Sequence, residues 1–373
     1  YPRGFARLLA LALCQKAGWC RTERLDVAGC SKSGSLRVGE ADHPGPNRRK
    51  APIRVGRLGE VQLVTAQTLA LEAKQLEKFQ RWCRETITNV DLSELFSAVP
   101  QFLVEALKTH AEWLFQNGGA LSNLRHLLLA AQRWVPSARV FMAPAWEMVE
   151  KWESLCPVKH RTPVPETLVC AMCVLAWHMQ WWSWVGATVL SFYGAGRLGE
   201  VLRCSREDLV LPGDVFEATG SPVFLRLRSF KSQMRQPARV QHMKVSNTSA
   251  SRILTKIFGQ LPLDAPLFNA SAYQYRKRWN LLLEMLRIPK ELGLTPGGLR
   301  GGAAVYHYKD GRPIADLMWL LRLRSQTTLE SYLQEVGALN VFATLSAETR
   351  ASVRSTAASF AFLDAGETRS AGK

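Results

Sequence analysis

The stretch ETLVCAMCVLAWHMQWWSWVGATVLSFYGAG, residues 166–196, holds no Lys, Arg, Asp or Glu after its first residue. Whether it crosses a membrane or fills a core decides the fold. Its length would suffice for a bilayer span, which needs about 20 apolar residues. Yet His178, Gln180 and Ser183, with the cluster Trp181, Trp182 and Trp184, fall at its centre, where a spanning helix should be most apolar. The sequence therefore favours two buried helices that meet near Gln180. Cys170 and Cys173 form a CxxC inside the first, but no second pair stands at zinc-like spacing, so they read as core packing.

On the amino-terminal side, KHRTPVPE (159–166) has two prolines and a basic flank, the composition of an extended linker that starts a second domain. Before it, residues 61–157 carry helical spacing: Leu76, Phe79, Trp82 and Cys83, then Phe102, Leu103, Ala106, Leu107 and His110, then Leu124, Leu127, Leu128 and Ala131. Gly118, Gly119, Pro136, Pro144 and Pro157 punctuate four or five helices. Trp113, Trp134, Trp146 and Trp152 read as core residues of that bundle. Residues 1–60 read as a flexible basic arm, rich in Gly, Ser and Pro after residue 20, with Arg48, Arg49 and Lys50 available to phosphate. Within it, Arg3, Arg7 and Lys16 around LLALALC give the composition of a leader peptide without an evident cleavage site.

On the carboxy-terminal side, the period changes to two. VFLRLRS (223–229) alternates Leu225 and Leu227 with Arg226 and Arg228, and ARVQHMKV (238–245) pairs with it across the turn SFKSQMRQP. Helices resume near residue 249, pass through YQYRKRWNLLLEML (273–286) with Arg276, Lys277 and Arg278, and continue to about 363. The expected architecture is mainly α with a small antiparallel β-sheet. It divides into the arm, a helical domain over 61–157, a second domain over 158–345, and a terminal helix and tail over 346–373.

A chain of 373 residues with 47% hydrophobic content can fill more than one core, and its net charge of +17 points to a polyanionic partner. Phosphate backbones attract such a surplus through counterion release. A basic amphipathic helix, the mark of membrane-surface binding, is missing from the pattern. Eight cysteines without a tight framework indicate reduced thiols in a cytosolic or nuclear compartment.

Two arginines stand in unusual settings. GAGRLGEVLRCSREDL (194–209) places Arg197 after a glycine turn and Glu200 three residues later, close enough on a helix to orient the guanidinium. TPGGLRGGAAVYHYKDG (295–311) sets Arg300 among four glycines. A nucleotide-wrapping loop would need a preceding strand and a Lys-Ser/Thr ending, and the glycines of GAGRLG (194–199) would need a strand before them to open a dinucleotide fold; neither context is present. The remaining reading is a helix start that aims a guanidinium at a phosphate, with the glycines admitting a DNA backbone.

These segments resemble the boxes of the tyrosine recombinase, or phage integrase, family. GAGRLGEVLRCSREDL is similar to the first box, TPGGLRGGAAVYHYKDG to the second, and TTLESYLQEV (327–336) to the last. The resemblance covers about residues 65–345 and is strongest to integrase-like proteins of eukaryotic mobile elements. It implies a two-domain clamp on double-stranded DNA, with a helical core-binding domain and a catalytic domain. The implied activity is site-specific DNA integration and recombination through a 3′-phosphotyrosyl intermediate. Arg197, Arg300, Lys231 and Tyr332 would be catalytic and Glu200 supporting. The basic residues Arg226, Arg228, Arg235, Arg276, Lys277 and Arg278 are the candidates for DNA contact. The resemblance implies no cofactor and no metal, a homo-oligomer on DNA (a tetramer), no membrane, and a nuclear location in a eukaryote.

The chemistry of that set stands without the family. Two guanidiniums can hold both non-bridging oxygens of a phosphodiester while charge builds on them. A phenol, with an ordinary pKa of about 10, attacks once cations or a base favour its loss of a proton. The phosphotyrosyl bond then conserves the energy of the broken strand. An ammonium on a hairpin turn can protonate the leaving oxygen. Two positions depart from the family pattern: Gly297 replaces a usual His, and Leu323 a usual His or Trp. Among nearby rings, His307 shares the helix face of Arg300 but lies roughly 10 Å along the axis, too far to replace the missing ring, which leaves Trp319 and His242 as the compensating candidates. These departures imply either a slower enzyme or a degenerate recombinase fold that binds DNA without cutting it.

Overall fold

The computed structural model describes residues 64–86, 96–156, 161–215, 218–227, 241–333 and 335–363. The basic arm and the hairpin turn with Arg228, Lys231 and Arg235 lie outside them. The chain divides into two compact units, Tyr1–Val158 and Lys159–Lys373.

The first unit contains helices α1 (Ala66–Thr86), α2 (Pro100–Gln116), α3 (Leu121–Trp134) and α4 (Ala143–Leu155), with a four-residue turn between α2 and α3 and a 3-10 turn over Pro136–Phe141 between α3 and α4. Proline opens α2, where its missing N–H costs no bond. Phe79 and Cys83 of α1, Leu103 and Leu107 of α2, and Leu124 and Leu128 of α3 interlock in one core, as their three- and four-residue spacing requires. Arg133 pairs with the buried Glu72. Trp113 corrects the sequence reading. It is 44% exposed, and its ring stacks on His110 at 5.4 Å from the rim of the core.

His110 is enclosed by Phe79, Trp82 and Trp113. Burial pushes its pKa down to about 4. In the second unit, His307 is also pushed down to about 4 by burial, helped by Arg312. Each ring is neutral when folded and takes up a proton on unfolding between about pH 6.5 and 4, so its contribution is whole above pH 6.5 and drains away as pH falls through that window. The expected loss by pH 4 is roughly 3 kcal/mol for each unit. Urea titrations across this range, comparing the chain with His110→Phe, should show a flatter pH response for the first unit of the variant.

The second unit is built around α6 (Trp182–Tyr193), whose residues from Trp184 to Tyr193 are all buried. A helix apolar on every side needs neighbours on every side. They are α5 (Glu166–His178), α8 (Thr248–Phe258) and α10 (Leu299–Lys309). Gln180 takes a left-handed φ of 59° between α5 and α6, which reverses the chain where the sequence predicts two helices to meet. Among the described residues no helix is long and apolar enough to cross a membrane. Cys170 and Cys173 are buried free thiols on α5.

After α7 (Leu198–Val201), a three-stranded antiparallel sheet forms in the order β1 (Leu209–Val210), β2 (Val223–Leu227), β3 (Gln241–Val245). The hairpin register sets Leu225 opposite Met243 and Arg226 opposite His242. Leu225, Leu227 and Met243 enter the core, as the period-two pattern predicts. The two-residue β1 is too short to show a period. Helices α9 (Ala272–Met285), α11 (Ile314–Leu320), α12 (Gln326–Glu330), α13 (Glu335–Ala343) and α14 (Ala347–Ala358) complete the unit. Trp279 and Tyr275 of α9 pack on Trp184. Helix α14, begun by Ser346 accepting from the Thr349 N–H at 3.1 Å, lies along α5 of its own unit.

Candidate phosphate-binding site

Three chain reversals bring the site together. The first follows α6: Ala195 adopts φ 48°, and Gly194 and Gly196 tuck against Met243, leaving no room for a side chain. Arg197 then stands at the start of α7, and Glu200, one turn on, is 2% exposed. The second is the 3-10 turn Pro296–Gly298, which leads into α10 and places Arg300 in its first turn. The third ends α11, where Arg322 takes a left-handed φ of 53°.

Arg300 ties the other two segments together. It is only 4% exposed. Its Nη1 donates to the Ala195 carbonyl at 3.2 Å, and its Nη2 donates to the Leu321 carbonyl. Those carbonyls lie two residues before Arg197 and one before Arg322. Glu200 closes the arrangement, accepting from Arg197 Nη1 at 2.8 Å and from Arg322 Nη2 at 2.6 Å. The predicted pairing of Arg197 with Glu200 is present.

Tyr332 follows α12, its N–H donating to the Leu329 carbonyl at 2.8 Å. The Arg300 guanidinium lies 5.5 Å from the centre of its ring. Arg197, Arg300 and Tyr332 line one cleft of about 430 Å³, with Gly196, Gly297, Gly298, Gly301 and Ser331. Thus two of the sequence-predicted arginines and the tyrosine share a cleft, and Glu200 braces it from below.

Arg322 was absent from the sequence-based set. Its side chain is 10% exposed, and it brings a second guanidinium to Glu200. Burial and repulsion from Arg197 lower its pKa, partly offset by Glu200. Burial, then Arg197 and Arg322, push Arg300 down to about 10. Arg300 therefore stays cationic at neutral pH. Of the three guanidiniums, Arg197 and Arg322 share one described carboxylate and Arg300 donates to carbonyls alone, so the balance of positive charge favours an anion in the cleft. Arg300 keeps an unbonded Nε–H, and Arg322 keeps Nε and Nη1.

The glycines around Arg300 admit a close approach of another backbone. Gly298 and Gly302 make room for the chain's own extended segment 161–165, while Gly297 and Gly301 line the cleft. A Cβ on Gly298 would strike the Thr162 carbonyl, and one on Gly302 the Val164 carbonyl, while Gly301 faces Pro163. The Val164 N–H donates to the Gly298 carbonyl at 3.2 Å, anchoring this contact. Gly302→Ala should therefore lower the unfolding free energy by about 1–3 kcal/mol through overpacking. A urea midpoint unchanged from the parent would contradict that packing.

The other expected residues are dispersed. Arg226 sits on the solvent face of β2, 3.5 Å from Asp208. Arg276 and Lys277 are exposed on α9, and Arg278 covers the Trp181 ring at 5.0 Å. None of the compensating rings reaches the cleft. His307 is buried against the Tyr193 carbonyl at 3.0 Å, Trp319 is exposed, and His242 is on the outer face of β3. Leu323 packs partly into the core.

Neither a protein-family model nor a curated protein matches this chain. Among solved structures it is similar to XerA recombinase, with a TM-score of 0.37 and 14% identity over 74% of this chain and 98% of that one. The similarity assigns no role to any residue here.

Proposed function

We propose that this chain is a DNA strand transferase of the tyrosine recombinase type, acting through a 3′-phosphotyrosyl intermediate at Tyr332. One observation carries the reading: a buried arginine, Arg300, joins the segments of Arg197 and Arg322 and sets its guanidinium 5.5 Å from the ring of the cleft tyrosine. A phenol that can attack a phosphodiester and guanidiniums that can stabilise the phosphorane-like transition state then line one cleft.

In the proposed step the phenolic oxygen bonds to phosphorus, the bond from phosphorus to the 5′ oxygen breaks, and that oxygen leaves as a hydroxyl. The proton lost by Tyr332 passes to solvent or a base, and the leaving oxygen takes one from an acid. Lys231 is the proposed acid, on the hairpin turn outside the described residues. Attack of a 5′-hydroxyl on the phosphotyrosine reverses these changes and joins the strand. Double-stranded DNA is the proposed partner, bound through the surplus of Lys and Arg, and a homo-oligomer on DNA supplies one nucleophile for each strand cut.

A second reading is binding without cleavage. It is favoured by the absence of any imidazole among the described residues that line the cleft. The deciding experiment incubates the chain with end-labelled duplexes of randomised sequence carrying a nick, so that the released fragment diffuses away. Label that survives denaturation on a tryptic peptide containing Tyr332 supports strand transfer. Retention of duplex on native gels without such an adduct supports the second reading.

A further inference from the structure

Arg161 belongs to the extended segment that opens the second unit, and it extends over Gly297. A Cβ at Gly297 would collide with its Nη1 and lie 2.9 Å from its Cζ, so the guanidinium stands in the space a side chain at position 297 would fill. It lines the same cleft as Arg197, Arg300 and Tyr332. Unlike those arginines it is exposed, and among the described residues it has neither a carboxylate nor a carbonyl partner.

We infer that Arg161 is a further phosphate ligand of this cleft, reaching it from outside the arginine triad through the gap that Gly297 leaves. The inference rests on the strand-transfer reading for its substrate, a phosphodiester of DNA, and identifies how the site is completed. A residue at 297 is one turn from Arg300 and shares its side of the helix start. A guanidinium delivered there meets the phosphate beside Arg300 and presents up to five donors in a planar fork. It supplies charge and hydrogen bonds. Arg161 thereby takes over the electrostatic share of an imidazole at 297 and leaves proton removal from Tyr332 to solvent or another group.

The segment geometry fixes this placement. Thr162 Oγ donates to the Leu292 carbonyl at 3.4 Å and the Val164 N–H to Gly298, so the backbone on the carboxy side of Arg161 is anchored to the loop that carries the glycines. Only the side chain is unengaged. An exposed arginine held over a cationic cleft raises repulsion in the free protein, which a bound phosphate relieves.

The test titrates inorganic phosphate into the full chain by calorimetry at fixed ionic strength, for the parent, Arg161→Ala, Arg161→Lys, Gly297→His and Arg300→Lys. Arg161→Ala is expected to weaken binding about tenfold or more, as for a lost charge-assisted hydrogen bond, and Arg161→Lys to recover part of that loss. Gly297→His should displace the guanidinium and weaken binding as well. Circular dichroism and thermal midpoints should be unmoved by Arg161→Ala, since the side chain is exposed. Binding that depends on Arg300 but not on Arg161 would overturn the assignment while sparing the cleft. Dependence on Arg161 without Arg300 would place the phosphate outside the cleft and overturn the assignment as well. Binding that ignores both, or is absent from the parent, would overturn both.

Discussion

Tyr332→Phe is expected to hold duplex DNA as the parent does, within about twofold, and to form no covalent adduct, a loss of about 10⁴-fold or more in line with removal of other enzymatic nucleophiles. The ring is retained, so its contact with Arg300 and its packing on the core survive. Only the phenolic oxygen is lost. Ser331 lines the same cleft and is the competing nucleophile. Its hydroxyl donates to the Thr328 carbonyl at 2.7 Å, an orientation that serves the helix end. Denaturing gels of labelled duplex after incubation with parent, Tyr332→Phe and Ser331→Ala separate the two. An adduct that persists in Tyr332→Phe and disappears in Ser331→Ala would move the chemistry to the serine and remove Tyr332 from it.

The same gels carry a control for folding. Tyr332 is held by a backbone bond to Leu329 that phenylalanine also makes. Equal native-gel retention by parent and variant would therefore assign the loss to chemistry. The direction of the effect does not depend on which base removes the phenolic proton.

Features governed by local spacing were legible in the sequence. The turn at Gln180 followed from polar residues at the centre of an apolar run, and the hairpin register from alternation of Leu225 and Leu227 with Arg226. Arg197 and Glu200 were legible as a pair because three residues on a short helix place them side by side. Arg322 was not, because its partner Glu200 is 122 residues away and its aim depends on a left-handed φ at a helix end, where no period operates. The glycines around Arg300 announced a close approach but not its partner. The same pattern would serve a DNA backbone or a protein backbone, and tertiary structure supplies residues 161–165. Trp113 shows the limit from the other side: the helical spacing is right, yet the ring is at the rim of the core, half in water.

Glu200→Ala is expected to destabilise the second unit by about 3–5 kcal/mol, the cost of removing one member of a buried ion cluster and leaving the others without a counter-charge. Glu200 is 2% exposed and is shared by Arg197 and Arg322, so a single truncation strands two guanidiniums, one of them nearly buried. Arg300, already pushed down to about 10 by burial and by these neighbours, would face them with no carboxylate between. Urea unfolding followed by hydrogen exchange in α6 and α10 measures the change in this unit alone. A shift below about 1 kcal/mol, the range of exposed ion pairs, would mean that Glu200 does not bind the arginines together. Adding Arg322→Met should recover part of the loss in a double-mutant cycle, because an apolar side chain of similar length fills the space without the stranded charge. The phosphate reading adds a further condition. An anion that enters the cleft replaces some of the missing charge, so inorganic phosphate should stabilise Glu200→Ala more than the parent, through preferential binding to the folded state. Stabilisation by phosphate that is equal in both proteins would place the anion elsewhere, and the cationic cleft would then be a structural cluster with no bearing on DNA.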